Sequence, residues 1–220
     1  MIATLNNNDM KKFLMTLALL LSVVVGNAQT EEQIEQVKAI EGTYELDENF
    51  GYSYTRVYEE LEGNKDELFN RALSFFPYII KGTYNAGDII QQEDKEKGLI
   101  VAKFAHNNVA SHSNLAHIYH VSATPIWRID LKDGRCRVIV TNKKWILYHR
   151  NSSGIVVTYT DDEIATTFVA PFAKGKKKKL NEMYTNAFLQ THDYTITLLD
   201  MFDEFMREKG NGKEKVSDDW

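Results

Sequence analysis

Phe13 to Val25 is an almost unbroken apolar run, and nothing later in the chain matches it. Lys11 and Lys12 precede it, and Gly26-Asn27-Ala28 follow with small residues. A basic pair, a short apolar stretch and a small-residue cleavage context are the parts of a secretory signal peptide. The run falls short of the roughly 20 residues that span a bilayer. The pattern therefore predicts a signal peptide within residues 1–28, with its core at 10–28 and cleavage after Ala28. Met10 is the better start, because Met1–Asp9 is polar and lies ahead of the basic pair. No cysteine stands near the cleavage point, so no lipid anchor is expected there, and the mature chain is expected to be periplasmic or secreted.

Downstream the pattern changes period. Gln29 to about Glu41 is polar and charged, and Asp47–Gly51 is turn-like, so residues 29–51 read as a linker or short helix. Tyr52 to Glu60 alternates aromatic and β-branched residues and predicts a strand. Asn64 with Glu67 has capping-box spacing, and Leu68, Ala72, Phe75, Phe76 and Ile79 then recur at helical spacing. Pro77 predicts a kink or an early end to that helix. Strands are predicted at Asp88–Gln92, Leu99–His106, about Ile118–Leu131, Cys136–Trp145 and Ile155–Tyr159. The polar segment Glu93–Gly98 joins the first two as a hairpin turn, and Asp133-Gly134 is a strong hairpin signal for the next pair. Leu180, Tyr184, Ala187, Phe188, Thr191, Leu198, Phe202 and Phe205 form one stripe of a long C-terminal helix, with β-branched residues in Tyr194–Thr197 allowing a break. Gly210 onward is polar, and 210–220 is expected to be a disordered tail.

Hairpins imply an antiparallel sheet, and two striped helices must bury their apolar faces on it. The expected fold is α+β: about five strands in one sheet, in the order β-α-β-β-β-β-α. One helix follows the first strand, the long C-terminal helix packs on one face, and the single domain spans 52–209.

Composition narrows the function. With 43% hydrophobic and 26% charged residues over 220 positions, the chain is an ordinary globular one and needs no staples. Its net charge is −5, and losing Lys11, Lys12 and Asp9 with the signal makes it one unit more negative. Such an acidic chain is not expected to bind nucleic acid. No later segment reads as a transmembrane helix. Cys136 is the only cysteine, so no internal disulfide forms. In its strand it shares a face with Val138 and Val140, opposite Arg135 and Arg137, so it is expected in the core.

Three segments carry a family resemblance. They are Lys65-Asp66-Glu67-Leu68-Phe69-Asn70-Arg71-Ala72-Leu73, the hairpin from Asp88 to Ile100, and Trp127-Arg128-Ile129-Asp130-Leu131-Lys132-Asp133-Gly134-Arg135-Cys136-Arg137. In order and spacing they resemble the motifs of the domain of unknown function 4468 family, exported bacterial envelope proteins with a TATA-binding-protein-like fold. The resemblance spans roughly residues 52–206. It implies that fold and an envelope or secreted location, and it carries over no catalytic residue. Ala105–His120 and Asp161–Lys179 depart from it by being longer.

Candidate chemistry is sparse. His106, His112, His117 and His120 are dense enough to raise zinc or copper binding, or a metal-dependent hydrolase. They lack the i, i+4 histidine spacing of a zinc hydrolase, and the Asn and Ser residues among them read as a polar loop running into a strand. Glu93, Asp94 and Glu96 read as a solvated turn, because they lack calcium-loop spacing. Lys174, Lys176, Lys177, Lys178 and Lys179 are candidates for contact with an anionic surface, or a solvated loop before the helix. Ser152-Ser153-Gly154 is turn composition, not a nucleophile elbow. Tyr54, Phe75, Phe76, Trp127, Trp145 and Phe202 would either line a cavity for a small apolar ligand or fill the core. No cofactor and no catalytic residue is implied. The expectation is an exported, non-enzymatic binding or interaction module with a partner in the envelope or outside the cell.

Overall fold

The computed structural model describes residues 30–46, 51–79, 89–142, 145–159 and 178–211. The signal segment and Lys174, Lys176 and Lys177 lie outside these residues, as does the predicted tail from residue 212 on. In chain order the elements are α1 (Glu31–Ala39), β1 (Glu45–Leu46), β2 (Tyr52–Tyr58), α2 (Lys65–Ile79), β3 (Ile90–Asp94), β4 (Leu99–Lys103) and β5 (His106–Ser113). Then follow β6 (His117–Ala123), β7 (Ile126–Lys132), β8 (Arg135–Asn142), β9 (Trp145–Asn151), β10 (Val156–Tyr159) and α3 (Lys178–Asn211).

The class is α+β, as expected, but the single sheet of about five strands is replaced by two antiparallel sheets. Among the described residues, six strands run β1-β2-β8-β7-β4-β3, and four run β10-β9-β6-β5. The two orders explain each other: β4 is followed in the chain by β5, β6 by β7 and β8 by β9, and β5, β6 and β9 keep the same neighbours as β4, β7 and β8. The first two pairs part at one level, at Phe104-Ala105 and Thr124-Pro125, where β8 also ends at Asn142 and β9 begins at Trp145. Pro125 has no N–H to give a ladder, which is one reason for a break on that line.

The predicted strand runs Leu99–His106, Ile118–Leu131 and Cys136–Trp145 each cross this break. Ala105–His120, expected as a polar loop, is mostly β5 and β6. Its register slips between His106 and Ala110, where Asn108 takes φ +54, so no clean alternation survives in the sequence.

The helices cover one face of the six-stranded sheet. Alternate residues Tyr52, Tyr54 and Tyr58 of β2, Trp127, Ile129 and Leu131 of β7, and Cys136, Val138 and Val140 of β8 are buried there. The other face shows Arg128, Arg137 and Val57 to solvent. Asp130 lies between Arg128 and Arg137 and accepts from both at 2.9 and 2.8 Å.

α2 opens on the capping box read from sequence. Asn64 Oδ1 accepts from the N–H groups of Asp66 and Glu67, and Glu67 Oε2 accepts from the Asn64 N–H. Pro77 sits inside the last turn, and the helix runs on to Ile79. α3 is continuous and about 51 Å long at 1.5 Å per residue. The β-branched stretch where a break was allowed stays helical; Thr191 and Thr195 are buried, and their hydroxyls donate to the carbonyls of Ala187 and Thr191, so neither is left unpaired.

α1, within the segment read as a linker or short helix, is capped by Thr30 and tied to α3. Gln33 Nε2 donates to the Glu182 carbonyl at 2.9 Å and to Asn186 Oδ1 at 2.6 Å. Among the described residues no helix is long and apolar enough to cross a membrane.

Candidate functional site

The three segments that carry the family resemblance meet at one place, the N-terminus of α2. The Lys65 N–H donates to Asp133 in the β7–β8 turn, and Lys65 Nζ donates to the Glu96 carbonyl in the β3–β4 turn. Lys95 of that turn pairs with Asp66 at 3.7 Å. The Gly134 N–H donates to Gly63, and the Leu131 N–H donates to Gly98. An open hollow of about 600 Å³ lies there, lined by Asn64, Lys65, Asp66, Lys132 and Asp133. Lys65, Asp66 and Asp133 serve the backbone and one another's turns, so this is a structural joint. Asp94, raised as an acidic candidate, accepts from the Lys97 N–H and Nζ, and these bonds hold its carboxyl below the usual range.

Cys136 is in the core, and burial pushes its thiol up to about 12. A thiol that stays protonated is no nucleophile. The six aromatics that would line a cavity are buried and in ring contact within the core. Phe75 touches Phe76, Trp127 and Phe202, and Tyr52 links Tyr54 with Trp145. Lys178 and Lys179 lie exposed in the first turn of α3, and Lys179 pairs with Glu182 at 2.9 Å.

The four clustered histidines do not share one site. His106 begins β5 and is buried beside Phe104 and Tyr194, with no hydrogen-bond partner for either nitrogen among the described residues. His120 points to the opposite face from His117, because it stands an odd number of residues away on β6. Among the described residues no group of three or more His, Cys, Asp or Glu is placed to hold a metal ion.

His112 and His117 instead join a residue that sequence reasoning passed over, His149 on β9. Tyr119 pairs with His112 on one side and with His149 on the other. Its ring stacks on His149 at 4.4 Å and 6°, and on His112 at 6.3 Å and 18°. His117 Nδ1 and His149 Nε2 approach to 2.8 Å. His149 lies 32 positions from His117, and only the β6–β9 register shows that they meet.

His106 makes acid stability a test of the core. Burial lowers its imidazole from 6.5 to about 4. The unfolded chain takes up a proton below 6.5 and the folded one does not, so stability is complete above that pH and falls towards pH 4. The loss is about 3 kcal/mol. His192, lowered by its own burial against Tyr54, acts with the same sign. Urea titrations of His106→Leu at pH 7 and pH 4.5 are expected to show a smaller acid loss than the parent, and an equal loss would contradict this placement.

The structure is similar to a DUF4468 family protein from Bacteroides ovatus, with 13% identity over 74% of this chain and 91% of that one and a TM-score of 0.48. It is also similar to a TBP-like protein from Parabacteroides distasonis, with 13% identity over 73% and 95% and a TM-score of 0.47. These carry the same two descriptions that the sequence segments resemble. No family model and no curated protein matches the chain.

Proposed function

We propose that the chain is an exported, non-enzymatic binding module that meets its partner through the far end of the four-stranded sheet. The observation that carries this reading is the end itself. The β5–β6 and β9–β10 turns lie side by side there, because His117 pairs with Asn151. Leu115 on the first turn is fully exposed, and Ile155 on the second and Val156 at the start of β10 are 58% and 59% exposed. Large apolar side chains held out together on two hairpins favour a contact surface over a merely solvated edge. The backbone there is fixed, since Asn114 Oδ1 accepts from Ala116 and His117, and Asn151 Oδ1 accepts from Ser153 and Ile155.

Export rests on the basic pair, the apolar run and the small residues before Gln29. Cleavage after Ala28 would leave Thr30, the cap of α1, and so the whole of that helix in the mature chain. The lysine run from Lys174 would add an anionic contact. N-terminal sequencing of the chain recovered from a bacterial envelope or medium is expected to begin at Gln29. A chain beginning at Met1 or Met10 would overturn the export half. A pull-down from envelope fractions that recovers no partner would overturn the binding half.

A further inference from the structure

We propose that His117 and His149 form a binding site for a divalent transition-metal ion of the zinc or copper class. The two residues sit on neighbouring antiparallel strands and on the same face of the four-stranded sheet. Tyr119 is directly opposite His149 and Asn151 directly opposite His117, so the two imidazoles are diagonal neighbours. Their ring centroids are 4.9 Å apart at 39°, with His117 Nδ1 and His149 Nε2 turned towards each other at 2.8 Å.

A hydrogen bond between two imidazole nitrogens needs one bare lone pair, and a metal ion needs two. Replacing the shared proton by a metal therefore uses atoms that already converge on one point. Metal–nitrogen bonds of 2.0–2.1 Å at a tetrahedral centre set two nitrogens about 3.3 Å apart. The rings must open by roughly half an ångström, which small side-chain rotations supply.

The surroundings hold the pair ready. The Tyr119 ring lies flat on His149, and His112 lies beyond Tyr119, so His149 is wedged in orientation by a stack that crosses three strands. Neighbours that fix the orientation of a ligand ring raise its affinity for the metal. Among the described residues no third His, Cys, Asp or Glu completes a closed site. Two imidazoles without a carboxylate favour zinc, copper or nickel over calcium or magnesium. His106, in the core, and His120, on the other face, take no part. The inference stands whether or not the sheet end meets a macromolecule.

The test uses the tag-free secreted chain, titrated with zinc chloride by calorimetry and, in parallel, by NMR of the histidine rings. One zinc ion per chain is expected, with the His117 and His149 resonances moving within the first equivalent and those of His120 unmoved. His117→Ala and His149→Ala are each expected to weaken binding by at least about tenfold, while His120→Ala binds as the parent does. The proposal is overturned if the parent takes up neither zinc nor copper, if the two variants bind as the parent does, or if other resonances move first. Should a variant fail to fold, the ring resonances of the parent decide the matter.

Discussion

Gly98→Ala is expected to destabilise the fold by roughly 3–5 kcal/mol, near the top of what single substitutions do. Two effects combine. Gly98 has φ +66, a conformation that costs an L-residue about 1–2 kcal/mol. In addition, a Cβ at this position would press into the backbone carbonyl of Leu131. That carbonyl belongs to β7, whose Leu131 N–H donates to the Gly98 oxygen at 2.7 Å, so neither strand can retreat without breaking the joint. Gly134→Ala is the control. It has nearly the same φ, +69, but its nearest neighbour would be 3.8 Å away. It should cost only the conformational part, about 1–2 kcal/mol. Urea unfolding of the two variants measures the difference, and equal midpoints would show that the close approach at Gly98 is not real.

Phe75→Ala is expected to cost about 3–5 kcal/mol. Phe75 is fully buried on α2 and touches the rings of Phe76, Trp127, Phe202 and Phe205, so it joins α2, β7 and α3. Removing its ring leaves a hole lined by stiff aromatics, which close it poorly. Tyr78 is on the same helix and also meets Phe205, but it is half exposed, and Tyr78→Ala should cost under about 1 kcal/mol. Comparable losses in the two variants would mean that α2 does not sit on the sheet through Phe75.

What the sequence revealed was local. Asn64 with Glu67 marked the start of α2, and Asp133-Gly134 marked a turn, because each signal acts within a few residues. The side of β8 that holds Cys136 followed from period-two alternation alone. β5 stayed hidden because its bulge at Asn108 destroys that alternation, and because its outer half carries His112 and Ser113 where the sheet outruns the core. Thr124-Pro125 sits inside what reads as one apolar run, so β6 and β7 merged. The break became visible only as a line crossing three strands. The histidine pair was out of reach for a similar reason. Density in sequence pointed at His106, His112, His117 and His120, of which only His117 belongs to the pair, while His149 owes its place to strand pairing across a long connection.

The central claim is that the far end of the four-stranded sheet is the working surface. A photo-activatable residue placed at Leu115, at Ile155 or at exposed Glu35 on α1, in the full chain made in a bacterial cell and cross-linked before lysis, tests it most directly. Cross-linked species are expected from positions 115 and 155 and not from 35. Cross-links only from position 35, or none from the two hairpin turns, would contradict the claim.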